Sequence, residues 1–458
     1  MKTVRIGAGL GFYGDSWLPI RASLEHGEVQ YIGSDHLAEL TLAILRKDQS
    51  RDPAAGFTRD VVPMLTALWP LAQPRGTRFV LNAGGLNPLG ARDALVAAFR
   101  ARGWRARIAV VTGDALLDRV VELREAGEAL AHLDTGAAIA EVRDQLVFAN
   151  AYLGAKPITE ALAAGADIVL TGRVADAALF LGPLVHELGW AWDDWDRLAG
   201  GLAVGHLLEC SGQGSGGNFG SAGAWAPVPD LGHIGYPIAE VSADGTAVIT
   251  KAPGTGGRVD FDTVRQQLLY EVHDPHRYFS PYVVLDMGTL RLEDLGGDRV
   301  RVSGATGQPR PDTLKVVAGY EDGWMGSTVV GFCWPDAWAK AEAAVALVKQ
   351  SLAEAGAAVD EFLVEHLGLD AFLGPHADLS GRGTLNEVWI RVAIRTRDKA
   401  VADSLGRHFP WLALSGPPYM GGFHGITPGS RLLGLWPTRV AREQVERRVQ
   451  VSVQDTLP

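Results

Sequence analysis

Five short apolar runs, each closing on glycine or a small polar residue, constrain this 458-residue chain more than any other feature. Residues 4–6 run into Gly7-Ala8-Gly9-Leu10-Gly11, and 29–32 into Gly33-Ser34-Asp35. Residues 78–81 end at Asn82-Ala83-Gly84-Gly85, 107–111 at Thr112-Gly113-Asp114, and 167–170 at Thr171-Gly172-Arg173. Helix-period segments at 37–45, 91–100, 114–123 and 158–164 lie between them. Short strands separated by helices of ~10–15 residues predict βαβ units and a parallel sheet. Right-handed crossovers then put every strand's C-terminal end on one edge, where open α/β sheets bind their ligands.

That alternation stops near Trp190. Residues 193–208 read as a helix with a Trp-rich start, in which Trp190, Trp192 and Trp195 serve an interface or simply pack. A Gly/Ser-rich loop at 211–223 suggests a boundary. Beyond it, 238–241 and 247–250 flank Asp244-Gly245, a hairpin signal because Asp-Gly suits turns with positive φ. Residues 283–291 and 299–302 suggest another hairpin; 336–352 and 399–406 read as helices and 387–395 as a strand. The expected class is α/β: an N-terminal parallel sheet with flanking helices over 1–215, plus an α+β part with mixed or antiparallel strands over 216–458.

Charge and cysteine content exclude several functions. A net charge of −11 argues against nucleic acid and anionic membranes, which select basic patches. Two cysteines, Cys210 and Cys333, give no disulfide framework and fit a reducing compartment. No apolar run approaches the ~20 residues that span a bilayer, and the N-terminus lacks a secretory apolar run. The expectation is a cytoplasmic protein without nucleic-acid or membrane partners.

The candidate site follows from the strand ends. Gly7, Gly9, Gly11, Gly84, Gly85 and Gly172 would admit a ligand to the backbone; Asp35, Asn82, Asp114 and Arg173 supply carboxylate, amide and guanidinium groups. The plain alternative is that the glycines close turns and the polar residues cap helices. Gly7–Gly11 follows a strand, but residue 12 is Phe, so the dinucleotide fingerprint is incomplete; a held anion or carboxylate fits better. No P-loop and no Gly-x-Ser-x-Gly occurs. Asp35 and Glu39, spaced i and i+4, share a face if the helix begins there, which suits acid/base work or an acidic cap. Tyr152, after Asn150, could orient a carbonyl or close a turn. Arg173 and Asp176 offer an anion clamp or an internal pair. His206, Glu209 and Cys210 fall at i, i+3 and i+4, so acid/base service by His206 or Glu209 is expected ahead of metal binding, and a nucleophilic Cys210 is third. Gly216, Gly217 and Asn218 lie in a loop suited to a lid, an anion cradle or a plain linker.

Taken together, these residues resemble the AtuA family of acyclic terpene utilisation. The likeness rests on residues 7–15, Ser34-Asp35-His36-Leu37-Ala38-Glu39-Leu40-Thr41, Asn82–Pro88, 149–155, Gly165–Asp176, Gly205-His206-Leu207-Leu208-Glu209-Cys210, 251–257, 267–271 and Asp274-Pro275. It covers most of the chain to about residue 430. The chain departs at His36, where the family usually has an aromatic residue, and at Tyr282, where it usually has Asp. The resemblance implies a link to branched, acyclic carboxylic acids as CoA thioesters, with no settled reaction. A small ferredoxin-like domain of longer relatives is expected to be missing, which leaves room for such a partner chain. Homo-oligomerisation is expected from base rates.

The reading that combines both is an enzyme on a branched carboxylate or acyl-CoA, of lyase or hydratase type. Asp35 or Glu209 moves a proton, Asn82 and Tyr152 orient the carbonyl, and Arg173 holds the anion. No cofactor is specified beyond a CoA thioester as substrate, although a divalent metal is conceivable. Alternatives are a metal-assisted hydrolase or lyase using His206 and Glu209, and a noncatalytic metabolite-binding subunit of a complex.

Overall fold

The structure is a computed structural model that describes residues 2–221, 224–225 and 227–457. All five anticipated parallel strands form: β1 (Thr3–Ala8), β2 (Tyr31–Ser34), β3 (Arg78–Leu81), β4 (Arg107–Thr112) and, after an intervening β5 (Leu146–Ala151), β6 (Ile168–Thr171). They pair in the order β1-β2-β3-β6-β4, all parallel. Their apolar positions are almost wholly buried, as strands covered on both faces require.

Helices α1 (Leu18–His26), α2 (Glu39–Gln49), α3 (Val61–Ala72), α4 (Pro88–Arg100), α5 (Val120–Glu125), α6 (Lys156–Ala163), α7 (Ala178–Leu188) and α8 (Trp195–Leu208) follow in order. The chain advances β1→β2→β3→β4, then turns back to insert β6 between β3 and β4. Right-handed connections therefore place α1, α3 and α4 on one face and α6 and α7 on the other, and the packing groups them that way. Local chemistry sets the boundaries: Asn87 caps α4 by accepting from the Gly90 amide at 2.9 Å, with Pro88 at the first helical position.

The sheet does not stop at the anticipated boundary of 215/216. After a two-residue ladder, β7 (Gly220–Ser221) with β8 (Ala224–Trp225), the hairpin β9 (Pro237–Ser242) and β10 (Ala247–Lys251) forms as expected and adds antiparallel to β1. Helix α9 (Phe261–Leu269) follows. The second hairpin is offset: β13 (Arg291–Asp294) pairs with β14 (Val300–Ser303), while β11 (Tyr278–Phe279), β12 (Val284–Asp286) and β15 (Thr306–Gln308) make a separate three-stranded sheet. The long β16 (Thr313–Cys333), helix α10 (Ala337–Glu354), and strands β17 (Glu361–Leu367), β18 (Glu387–Thr396), β19 (Met420–Gly421), β20 (Ser430–Ala441) and β21 (Gln450–Asp455) complete the chain. β21 closes the edge of the large sheet against β4.

Compact units accordingly divide elsewhere: residues to Ala318 together with those from Leu435 form one, and Gly319–Gly434 the other. The reason is that β9, β10, β14 and β21 complete the hydrogen bonding of one ten-stranded sheet. In the smaller unit, α10 packs Ala341, Ala344 and Val348 on Val330, Ile390 and Val392 of an antiparallel sheet. Of the loop read at 211–223, residues 222 and 223 lie outside the described residues; Ser211–Ser215 is a short 3-10 turn.

Candidate functional site

The C-terminal ends of β1, β2 and β6, together with the start of α2 and the end of α8, open on a cavity of about 1010 Å³. Of the residues singled out in the sequence, Gly11, Asp35, Glu39, Tyr152, Arg173, Asp176, Glu209, Gly217 and Asn218 line it, whereas Gly7, Gly9, Asn82, Gly84, Gly85, Gly172, His206 and Gly216 do not. Its charged lining is unbalanced: Asp15, Asp35, Glu39, Asp176, Glu209 and Glu271 face Arg173 and Lys315.

Asp35 sits at the end of β2, before α2 begins at Glu39, so the two do not share a helix face; they meet only through the cavity. Asp35 is 6% exposed. Its Oδ1 accepts from the Leu37 amide at 3.0 Å and from Asn82 Nδ2. Burial, and then the Asp176 charge, hold its carboxyl well above the usual range despite Arg173 and Asn82. Asn82 is fully buried behind it and also accepts from the His36 amide at 2.6 Å. Asn82 therefore orients Asp35 and does not reach a substrate carbonyl.

Glu39 is the opposite case. Burial alone would raise its carboxyl, but the Tyr152 hydroxyl donates to it and Lys315 Nζ donates at 3.1 Å, which brings it down to about 2. Strand β5 places Tyr152 there: the Ala151 amide bonds the Asp114 carbonyl and the Tyr152 amide bonds the Lys315 carbonyl, both within 2.9 Å. The Arg173 guanidinium lies 4.0 Å and Lys315 Nζ 4.6 Å from the Tyr152 ring centroid.

Arg173 is 2% exposed and engaged internally. It donates to the Leu37 carbonyl at 2.7 Å and pairs with Asp176 at 2.8 Å, while the Asp114 carboxylate fixes its amide at 2.9 Å. An internal ion pair forms, while Arg173 Nε and Asp176 Oδ1 each make no hydrogen bond among the described residues. Glu209 and His206 pair at 2.8 Å at the C-terminus of α8, with His206 buried behind Glu209. Burial raises the Glu209 carboxyl; burial alone would lower His206, but the Glu209 charge and hydrogen bond outweigh it. Cys210 lines the cavity, but burial and then Glu209 push its thiol up, which removes the nucleophile.

The glycine loop is no anion cradle. The Gly9 amide bonds the Gly33 carbonyl, the Leu10 amide Ser34 Oγ, and the Gly11 amide Asp15. A Cβ on Gly9 would stand 2.4 Å from that of Ser34, and one on Gly172 2.5 Å from both Asp114 carboxylate oxygens. Gly7, Gly84, Gly85 and Gly216 likewise answer to packing, against Ile32, Pro88, Leu45 and Val228. In the second loop the Gln213, Gly216 and Gly217 amides bond carbonyls at Cys210, Gln213 and Gly212, so those amides are spent internally as well. Ser34, His36 and Asp60 follow Ser–His–Asp order at 3.0 and 3.5 Å, but Ser34 and His36 are fully buried. Among the described residues, no group of three or more His, Cys, Asp and Glu side chains is placed to hold a metal ion.

Sequence reasoning missed Asp15, Glu271, Tyr278 and Lys315. Lys315 lies on an antiparallel strand far from any βα turn, and no local pattern marks it. Asp15 is a locking group: it accepts from Gly11, Ser16, Ser211 and Tyr236.

Fold and site define an α/β protein whose strand-end cavity is lined by two carboxyls that burial raises, Asp35 and Glu209, and by one, Glu39, that Tyr152 and Lys315 lower. The chain belongs to the acyclic terpene utilisation family AtuA, whose profile matches residues 4–451. Comparisons with curated proteins and with solved structures give no match. No helix among the described residues is long and apolar enough to cross a membrane.

Proposed function

We propose that the chain is an enzyme that moves protons on the acyl group of a branched, acyclic carboxylic acid, taken as a thioester, in lyase or hydratase chemistry. The supporting observation is the split ionisation of one cavity: Asp35 and Glu209 are held toward their protonated forms, and Glu39 is held ionised. Titratable groups pushed apart in this way are the pattern of assigned acids and bases. In this reading Asp35 donates to the carbonyl side of the substrate, and Asn82 holds Asp35 in place. The Glu209–His206 pair is the second proton position. Tyr152, Glu39 and Lys315 form a fixed polar wall.

A neutral acyl carbonyl suits the cavity better than a free carboxylate. Six carboxyl groups line it, and Arg173 already serves Asp176 and the Leu37 carbonyl. Leu18, Leu37 and Ile234 supply an apolar wall for a carbon chain.

The test is a thermal-shift series with the 3-methylbutanoyl thioester of N-acetylcysteamine, free 3-methylbutanoate, NAD(H), and divalent metals with EDTA controls. A ligand bound only by the native state raises Tm. Stabilisation by the thioester, stronger than by the acid, is expected. No shift with any acyl compound, together with copurification of a second chain, would overturn the reading in favour of a noncatalytic subunit.

A further inference from the structure

A further cavity of about 470 Å³ adjoins the first and shares Tyr152, Asp176, Glu209 and Lys315 with it, so Glu209 borders both. Leu133, Leu202 and Leu314 give this recess an apolar wall. Two tyrosines, Tyr278 and Tyr282, also line it. Tyr282 is 3% exposed, yet its hydroxyl completes no hydrogen bond among the described residues: the Ser280 hydroxyl beside it donates to the Val283 carbonyl at 2.7 Å. The Tyr278 hydroxyl has only a 3.4 Å approach to His206 Nδ1, and that nitrogen is already held by Glu209 at 2.8 Å.

Buried polar groups are normally paired, and one that is not calls for a ligand or a mechanistic role. A phenol donates one hydrogen bond and accepts others, and the Glu209 carboxyl can do the same when protonated. Their natural complement is a neutral oxygen carrying a hydrogen. A carboxylate there would meet Asp176 and Glu209, and a cation would meet Lys315 and Arg439, which also line the recess. We propose that the recess beyond Glu209 is a hydroxyl subsite, in which Tyr282, Tyr278 and Glu209 hold the oxygen of a substrate alcohol or of a reacting water while the leucines hold the adjoining carbon chain. This rests on the acyl reading above and extends it: it names a position on the chain, away from the carbonyl, at which the substrate carries or receives oxygen.

The experiment compares two thioesters of N-acetylcysteamine that differ by one hydroxyl, 3-methylbutanoyl and 3-hydroxy-3-methylbutanoyl, against wild type and Tyr282→Phe. The variant keeps the ring and removes the unpartnered hydroxyl, so its Tm is expected no lower than wild type. Wild type is expected to bind the hydroxylated probe at least tenfold tighter, and Tyr282→Phe to erase that preference while binding the unsubstituted probe as before. That outcome assigns the subsite to the substrate's own alcohol. Tighter binding of the unsubstituted probe, weakened by Tyr282→Phe, assigns it to a water. Equal binding of both probes, or a preference unchanged in Tyr282→Phe, overturns the subsite and leaves the acyl reading standing. Failure of both probes to bind overturns the acyl reading and the subsite with it. A fall in Tm for Tyr282→Phe makes the hydroxyl structural and also overturns the proposal.

Discussion

Asp35→Asn should make the protein progressively more stable than wild type as pH rises, while removing the proposed proton donor. Asp35 Oδ1 accepts two hydrogen bonds, from Leu37 and Asn82, and an amide oxygen in its place accepts both. What the substitution deletes is ionisation. Burial, then Asp176, raise the folded carboxyl well above its ordinary 3.8. A carboxyl raised on folding binds more proton in the folded state than in the unfolded one at pH values above 3.8. The stability it contributes is full below that value and is lost as pH climbs through the folded pKa. One proton sets the steepest slope at about 1.4 kcal/mol per pH unit. The substituted amide has no such slope, so the variant gains on wild type by up to that amount for each unit from pH ~4 up to the folded pKa, beyond which the difference is constant. Urea unfolding of both proteins at half-unit steps from pH 4.5 to 8.5 reads the difference, and groups distant from Asp35 cancel. Parallel profiles, or a variant less stable by a constant amount at every pH, would refute the reasoning. Turnover, once a substrate is in hand, should fall in the variant even where stability rises.

Asn82→Ala should cost about 3–5 kcal/mol, because it leaves the buried His36 amide unpaired, takes a bond from Asp35 and opens a cavity; urea midpoints check it. Glu39→Gln has the opposite pH signature to Asp35→Asn. The folded Glu39 carboxyl lies at about 2 against 4.5 unfolded, so its stabilisation is present above pH 4.5 and disappears as pH falls toward 2. The loss at neutral pH should be about 1–2 kcal/mol after discounting for the solvent around Lys315, with wild type and variant converging in acid. Iodoacetamide at pH 8 should label the exposed Cys333 well before Cys210, whose thiol is raised by burial and Glu209; peptide mass mapping over time reads the order, and equal rates would contradict it.

The period of the apolar runs determined much of this protein. Short strands alternating with helices can bury themselves only as a parallel sheet, and that sheet puts Asp35, Asn82 and Arg173 on one edge whatever the details of the connections. The loop-and-helix blocks around those residues also carried the family likeness. Local pattern ended there, because it does not say which way a polar side chain turns. Asn82 and Arg173 look equally available in the sequence, yet one lies behind Asp35 and the other is spent on Leu37 and Asp176. The glycines looked like ligand loops, but their amides bond neighbouring carbonyls and side chains, and the space beside them is filled. The boundary after residue 215 failed because unpaired sheet edges recruit strands from any distance, and β9 and β21 came from far along the chain. Lys315, Tyr278 and Tyr282 reach the site from antiparallel strands and the turns beside them, where sequence gives no periodic cue. Only the tertiary structure brings them to Glu209 and Glu39, and the contest there between burial, hydrogen bonds and neighbouring charges raises Asp35 and Glu209 and lowers Glu39.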